Sequence, residues 1–119
     1  MGLFSSKQKA EFPWVKLTSS EQLQELLKSS ETKPVLLFKH STRCSISAMA
    51  INRFENNMDP EKATCVYLDL LAYRSLSNEI EELTKVQHQS PQAILISNHE
   101  VIYTETHNGI NALDILKLI

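Results

Sequence analysis

One cysteine in this 119-residue chain lies at a position where a thiol becomes nucleophilic. Cys44 follows the apolar run 35–38 and precedes a segment whose apolar residues have helical spacing. A thiol at such a strand-to-helix turn meets the positive end of the helix dipole, which favours the thiolate. Arg43 and Lys39 add positive charge nearby. We therefore predict that Cys44 is a reactive catalytic thiol and not an inert core residue.

The position three residues after this cysteine carries a hydroxyl. Ser47 stands where a Cys-x-x-Cys redox motif has its second thiol. A single thiol can still exchange with a disulfide through a mixed disulfide. We expect Ser47 to belong to the catalytic site by bonding the Cys44 thiolate. The alternative is a solvated helix serine, since serines near a helix start commonly bond local backbone. The other cysteine, Cys65, starts an apolar strand segment and is interpreted as structural.

Composition limits the classes of function. The formal net charge of −2 gives no bulk attraction to nucleic acid or to an anionic membrane. No apolar stretch approaches the ~20 residues of a membrane helix. The four histidines are scattered and no Cys/His cluster has zinc spacing, so we predict no metal site. Two cysteines do not make a disulfide framework, and without an apolar leader segment the chain is predicted to be cytoplasmic.

The apolar pattern divides the chain into alternating elements. Residues 1–11 predict a loose N-terminal tail, and residues 12–119 predict a single domain. We predict strands at 12–17, 35–38, 64–70, 92–97 and 101–106, and helices at 19–29, 45–58, about 74–86 and from 112 onward. Thr18 and Glu21 fit a capping box for the first helix, and Asn111 can cap the last.

The inner face of the second helix is predicted from four residues at helical spacing. They are Ile46, Ala50, Phe54 and Met58. The order β-α-β-α-β-α-β-β-α predicts an α/β fold, with crossovers in a central mixed sheet, a C-terminal β-hairpin and helices on both faces.

This order, with Cys44 after the second strand and Pro91 before the fourth, resembles the thioredoxin fold. In that fold the proline before the fourth strand is cis and lies against the active cysteine. The resemblance therefore implies a cis peptide bond at Pro91 and a place for Pro91 in the catalytic site. The backbone of Ser90 would then bind an extended thiol substrate in the manner of an added strand.

A closer resemblance is to the monothiol bacilliredoxins, the thioredoxin-like general-stress proteins of the bacillithiol system. It is carried by the runs 38–48, 88–93 and 106–110. The usual centre of the family is Thr-Cys-Pro-Ile-Ser, whereas this chain has Arg43-Cys44-Ser45-Ile46-Ser47. The thiol is in place, and Ser45 stands where the family has proline. The run Ser-Pro-Gln at 90–92 matches without change.

The resemblance implies a monothiol thiol–disulfide oxidoreductase that removes bacillithiol, or a similar small thiol, from protein mixed disulfides. It implies no tightly bound cofactor, with bacillithiol as co-substrate. The implied partners are proteins that carry such mixed disulfides and a reductase that recycles Cys44. Lys39 and Arg43 would bind the carboxylates of the small thiol. Backbone N–H groups at Gly109 and Ile110, before the last helix, form a predicted anion site.

Two other functions stay open from the sequence. A thioredoxin-like binding module without turnover would have an unreactive Cys44. A monothiol glutaredoxin-like iron–sulfur carrier would be coloured, and such carriers have Cys-Gly-Phe-Ser where this chain has Ser45 and Ile46 after the cysteine.

Overall fold

The computed structural model describes residues 11–119, so the predicted tail lies outside the described residues except for Glu11. Within the described part, the strands are β1 Val15–Lys16, β2 Val35–His40, β3 Thr64–Asp69, β4 Gln92–Ser97 and β5 Glu100–Thr106. The helices are α1 Ser20–Ser29, α2 Ser45–Asn57, α3 Arg74–Thr84 and α4 Ala112–Leu116, with a 3-10 turn at His107–Gly109. No helix in this part of the chain is long and apolar enough to cross a membrane.

The strands form one mixed sheet in the order β1-β3-β2-β4-β5. β1 and β2 run parallel to β3, whereas β4 is antiparallel to both β2 and β5. Asn98 and His99 close the β4–β5 hairpin with φ values of 51° and 68°, the left-handed conformation that both central residues of a type I′ turn adopt. The predicted α/β class, with a mixed sheet and a C-terminal hairpin, is confirmed.

Helices cover both faces of the sheet, and β2 lies at its centre with every residue buried. Leu36 and Phe38 pack with α2 and α4, whereas Val35 and Leu37 pack with α1 and α3. This is the alternation of a strand that is buried on both faces. Because side chains alternate between the two faces along the strand, Lys39 and His40 at the end of β2 point to opposite faces.

The start of α1 differs from the prediction by one residue. Ser19 is the N-cap, and its side chain accepts a hydrogen bond from the N–H of Gln22. The Gln22 side chain reaches back and accepts from the N–H of Thr18 at 2.8 Å. The predicted pairing of Thr18 with Glu21 is wrong, because a second hydroxyl residue and a glutamine one position later provide the reciprocal bonds.

The inner face of α2 also differs, and this difference affects the functional site. Ala50, Phe54 and Met58 are buried as predicted, but Ile46 is 50% exposed and Ser47 is fully buried. A period of 3.6 residues allows either residue to precede Ala50 on the inner face. The apolar side chain favoured Ile46 in the sequence, whereas the hydrogen bonds of Ser47 decide the orientation in the structure.

Candidate functional site

The end of β2, the start of α2 and the turn before β4 meet at one edge of the sheet. Lys39 pairs with Gln92 across β2 and β4, so His40 and Pro91 are the next positions outward. The bond between Ser90 and Pro91 is cis, which confirms the prediction. Four residues beyond His40, Cys44 directly precedes α2.

Cys44 is the N-cap residue of α2, a helix of 13 residues. Its thiol is partly exposed and makes no capping hydrogen bond. Among the described residues, nothing accepts a hydrogen bond from the backbone N–H groups of residues 45–47, and the first turn contains no acidic residue. These free donors and the helix dipole favour a negative charge at this end. Arg43, also exposed, adds a positive charge beside the thiol.

Ser47 lies beneath this turn and connects it to the end of β2. Its Oγ is 2.7 Å from Nδ1 of His40 and accepts a hydrogen bond from the N–H of Ser41 at 3.1 Å. The hydrogen bonds of residues 11–119 include none between Ser47 and Cys44. The predicted catalytic serine is therefore three residues after the thiol in sequence, but its hydroxyl is bonded to the end of β2.

His40 is a site residue that the sequence reasoning missed. Its side chain is 8% exposed, and its ring lies 5.6 Å from the ring of Tyr67. Burial lowers the pKa of His40, while the carboxylates of Asp69 and Glu55 partly oppose that change. A histidine directly before the turn that carries the thiol was the only sequence signal.

Lys39 is buried away from the surface around Cys44, so its predicted role in carboxylate binding is wrong. It is fully buried on the face opposite α2, and its Nζ donates to the carbonyl of Ser77 at 3.4 Å and lies 3.3 Å from Nδ1 of His88. Burial lowers the pKa of Lys39 to about 8, against the effect of the Glu81 carboxylate. The alternation of a central strand places this lysine in the interior.

The predicted anion site at Gly109 and Ile110 is also wrong. Ile110 is buried, and its N–H donates to the carbonyl of His107 at 3.3 Å. The next N–H along the chain donates to the Tyr103 hydroxyl at 3.1 Å. The Glu105 carboxylate occupies the space where Gly109 would carry a Cβ. Bonded donors and an adjacent negative charge oppose anion binding at this turn.

Ser90 offers unpaired polar groups beside the cis proline. Within the described residues its backbone N–H and C=O have no hydrogen-bond partner, and its Oγ is buried without one. The flanking residues are fixed, since the carbonyl of Pro91 accepts from His107 at 3.0 Å and the Gln92 side chain donates to the carbonyl of Gln87 at 2.9 Å. A held loop with free backbone groups suits an added substrate strand.

The second thiol lies in the core. Cys65 is 2% exposed, and burial raises its pKa to about 12. Thiols of this kind are inert, since the thiolate is the nucleophile. In residues 11–119 there is no group of three or more His, Cys, Asp or Glu side chains placed to hold a metal ion.

The family model described as monothiol bacilliredoxin BrxC matches residues 15–115. The chain belongs to the monothiol bacilliredoxin family. The match includes the cysteine turn, the cis proline and the β4–β5 hairpin, so it covers every element that builds the site. The chain is thus a thioredoxin-fold oxidoreductase of the bacilliredoxin family, as the sequence resemblance implied.

Solved structures support the fold. A protein described as an oxidoreductase with a thioredoxin fold is 32% identical, with a TM-score of 0.77 and coverage of 87% of this chain and 90% of the other. The Malassezia sympodialis thioredoxin is 14% identical, with a TM-score of 0.68 and coverage of 91% and 89%. Mitochondrial thioredoxin 3 from Saccharomyces cerevisiae is 17% identical, with a TM-score of 0.64 and coverage of 89% and 92%. The two thioredoxins show a shared fold only.

Proposed function

We propose that the protein is a monothiol oxidoreductase that removes bacillithiol, or a similar small thiol, from protein mixed disulfides. The observation that carries the proposal is the environment of Cys44. Its thiol is partly exposed at a helix start with free N–H donors, and a buried serine occupies the position of a second thiol. This arrangement supports a nucleophile that works alone.

The reaction begins with the Cys44 thiolate. It attacks the sulfur that the small thiol contributes to the mixed disulfide, and the bond between that sulfur and the target cysteine breaks. The target protein leaves as a thiolate and takes a proton from water. Cys44 keeps the small thiol as a new mixed disulfide. A second small thiol, or a partner reductase, then attacks this disulfide and returns Cys44 to its reduced form.

The lack of a second reactive thiol decides which product accumulates. Ser47 cannot form a disulfide with Cys44, and Cys65 is buried with its pKa raised to about 12. An intrachain disulfide would compete with the small-thiol adduct in a Cys-x-x-Cys protein. Here the adduct on Cys44 persists until an external thiol removes it, and bacillithiol acts as co-substrate.

Substrate recognition uses the groups around the thiol that have no partner. The Ser90 backbone offers one donor and one acceptor to an extended target segment, and Pro91 lies beside His40 at the same edge. Arg43 is the exposed cation that remains for a carboxylate of the small thiol, since Lys39 is buried. The exchange needs a reducing compartment to recycle Cys44, and we place it in the cytoplasm.

Intact mass spectrometry tests the proposal. Reduced protein is mixed with bacillithiol disulfide and, separately, with glutathione disulfide, for the wild type and for the variants Cys44→Ser and Cys65→Ser. We expect one adduct per chain, faster with bacillithiol, lost in Cys44→Ser and kept in Cys65→Ser. Equal rates would remove bacillithiol as the preferred thiol. No adduct with either disulfide would overturn the proposal and favour a binding module.

A further inference from the structure

The Ser47 hydroxyl has one hydrogen and two neighbours that constrain it. The N–H of Ser41 can only donate, so at 3.1 Å it uses one acceptor position of Oγ. Nδ1 of His40, at 2.7 Å, can either accept or donate. When Nδ1 carries no proton, Ser47 must give its hydrogen to the ring. When Nδ1 is protonated, the ring donates and the hydroxyl hydrogen is free to point elsewhere.

The Ser47 hydroxyl makes no bond to Cys44 as the two side chains stand. A thiolate on Cys44 is the acceptor that a freed hydrogen would meet once the Cys44 side chain turns toward it. Cys44 is the N-cap of α2 and Ser47 is the third helical residue, and side chains at this position lean back toward the N-cap. Ser47 is fully buried, so solvent does not compete for its hydroxyl. A thiolate on Cys44 accepts hydrogen bonds strongly, because charged acceptors do.

We propose that His40 is a positioning residue that controls the Cys44 thiolate through the Ser47 hydroxyl. Since Cys44 is the nucleophile of the proposed function, this inference rests on that function. A neutral His40 ring with its proton on Nε2 holds the hydroxyl hydrogen away from the thiol, and a protonated ring releases it to the thiolate. The charge on Cys44 and the protonation of His40 are therefore linked through one hydroxyl.

The proposed proton transfer involves only Cys44, Ser47 and His40. In the starting state Cys44 is a thiol, and the His40 ring is neutral with its proton on Nε2. When the Cys44 side chain turns to bring its thiol against Oγ of Ser47, the thiol proton passes to Oγ as the hydroxyl proton passes to Nδ1 of His40. The products are a Cys44 thiolate, an unchanged serine and an imidazolium, linked by two hydrogen bonds.

The surroundings of His40 allow it to respond in this way. Burial disfavours the imidazolium and lowers the pKa of His40, whereas Asp69 on β3 and Glu55 on α2 favour it. Tyr67, also on β3, packs against the ring, and burial raises the pKa of its hydroxyl. Burial and the two carboxylates thus act on the pKa of His40 in opposite directions. A thiolate on Cys44 adds a further negative charge that favours protonation of the ring.

The test is an NMR titration of the His40 ring in two forms of the protein carrying Cys65→Ser: reduced, and alkylated at Cys44 with iodoacetamide. Alkylation removes the thiolate, so we expect the proton affinity of His40 to fall about tenfold. In Ser47→Ala the same alkylation should change the proton affinity of His40 by a factor several-fold smaller. His88, which contacts Lys39 on the other face of the sheet, is the control and should titrate identically in both forms.

Other outcomes separate this inference from the proposed function. If His40 titrates identically before and after alkylation while Cys44 still forms small-thiol adducts, the inference is overturned and the function stands. If the coupling is present but no adduct forms, the function is wrong and the coupling stands. The variant His40→Asn keeps a polar atom at the place of Nδ1 but cannot titrate. Its alkylation rate should show one ionisation step where the wild type shows two.

Discussion

Replacing Lys39 with methionine should stabilise the protein at neutral pH. The pKa of Lys39 falls from 10.5 to about 8 because its side chain is buried. One pKa unit corresponds to about 1.4 kcal/mol, so holding the ammonium in the fold at pH 7 costs about 3 kcal/mol. Methionine fills a similar volume without charge. Losing the bonds to Ser77 and His88 offsets part of this gain, and we expect a net increase of about 2 kcal/mol in the free energy of unfolding.

The stability difference between Lys39→Met and the wild type should depend on pH. Between about pH 8 and 10.5 the unfolded chain keeps the Lys39 proton that the folded chain has lost, so wild-type stability gains about 1.4 kcal/mol per pH unit from this group. Lys39→Met lacks that gain. Its advantage over the wild type should therefore shrink by about 2 kcal/mol between pH 7 and 9.5.

Urea unfolding of both proteins at the two pH values measures this difference. The contribution of Cys65 is common to both proteins and cancels in the comparison. A variant less stable than the wild type at pH 7 would show that the buried Lys39 ammonium does not destabilise the fold. An advantage that does not change with pH would do the same, because it would show that the ammonium is not desolvated.

Three further predictions follow from individual side chains. Phe54→Ala, in the aromatic core, should lower the free energy of unfolding by about 3–5 kcal/mol. Ile46→Ala, on the exposed side of α2, should lower it by less than about 1 kcal/mol. Urea unfolding of the two variants measures both changes. Cys65 should react with a thiol reagent only after denaturant is added, and reaction in the native protein would contradict its burial. Gly109→Ala should leave the rate of small-thiol adduct formation unchanged after Glu105 moves aside, and a large loss of rate would restore the rejected anion site.

The features that can be predicted correctly are those that neighbouring residues in the sequence determine. Cys44 lies between an apolar run and a helical pattern, and Asn111 caps α4 by accepting from two backbone N–H groups, as expected. The cis bond at Pro91 came from the resemblance to a fold, which in turn rested on the order of the elements.

The features that the sequence misses depend on contacts between distant segments. A lysine that follows an apolar run looks exposed, and its burial follows only from α3 packing on the central strand. The donors expected to be free before α4 are used by His107 and by Tyr103 of β5. The choice of Ser47 over Ile46 for the inner face of α2 is a rotation by one residue, which the hydrogen bond to His40 decides.

Removal of the small thiol by Cys44 can be followed directly from one protein to the other. A target protein that carries one bacillithiol mixed disulfide is mixed with an equal amount of reduced protein carrying Cys65→Ser. The intact mass of both chains is then measured over time. We expect the target to become a free thiol while the bacillithiol mass appears on Cys44. A disulfide between the target and Cys44 that accumulates, or a target that keeps its adduct, would contradict the proposed function.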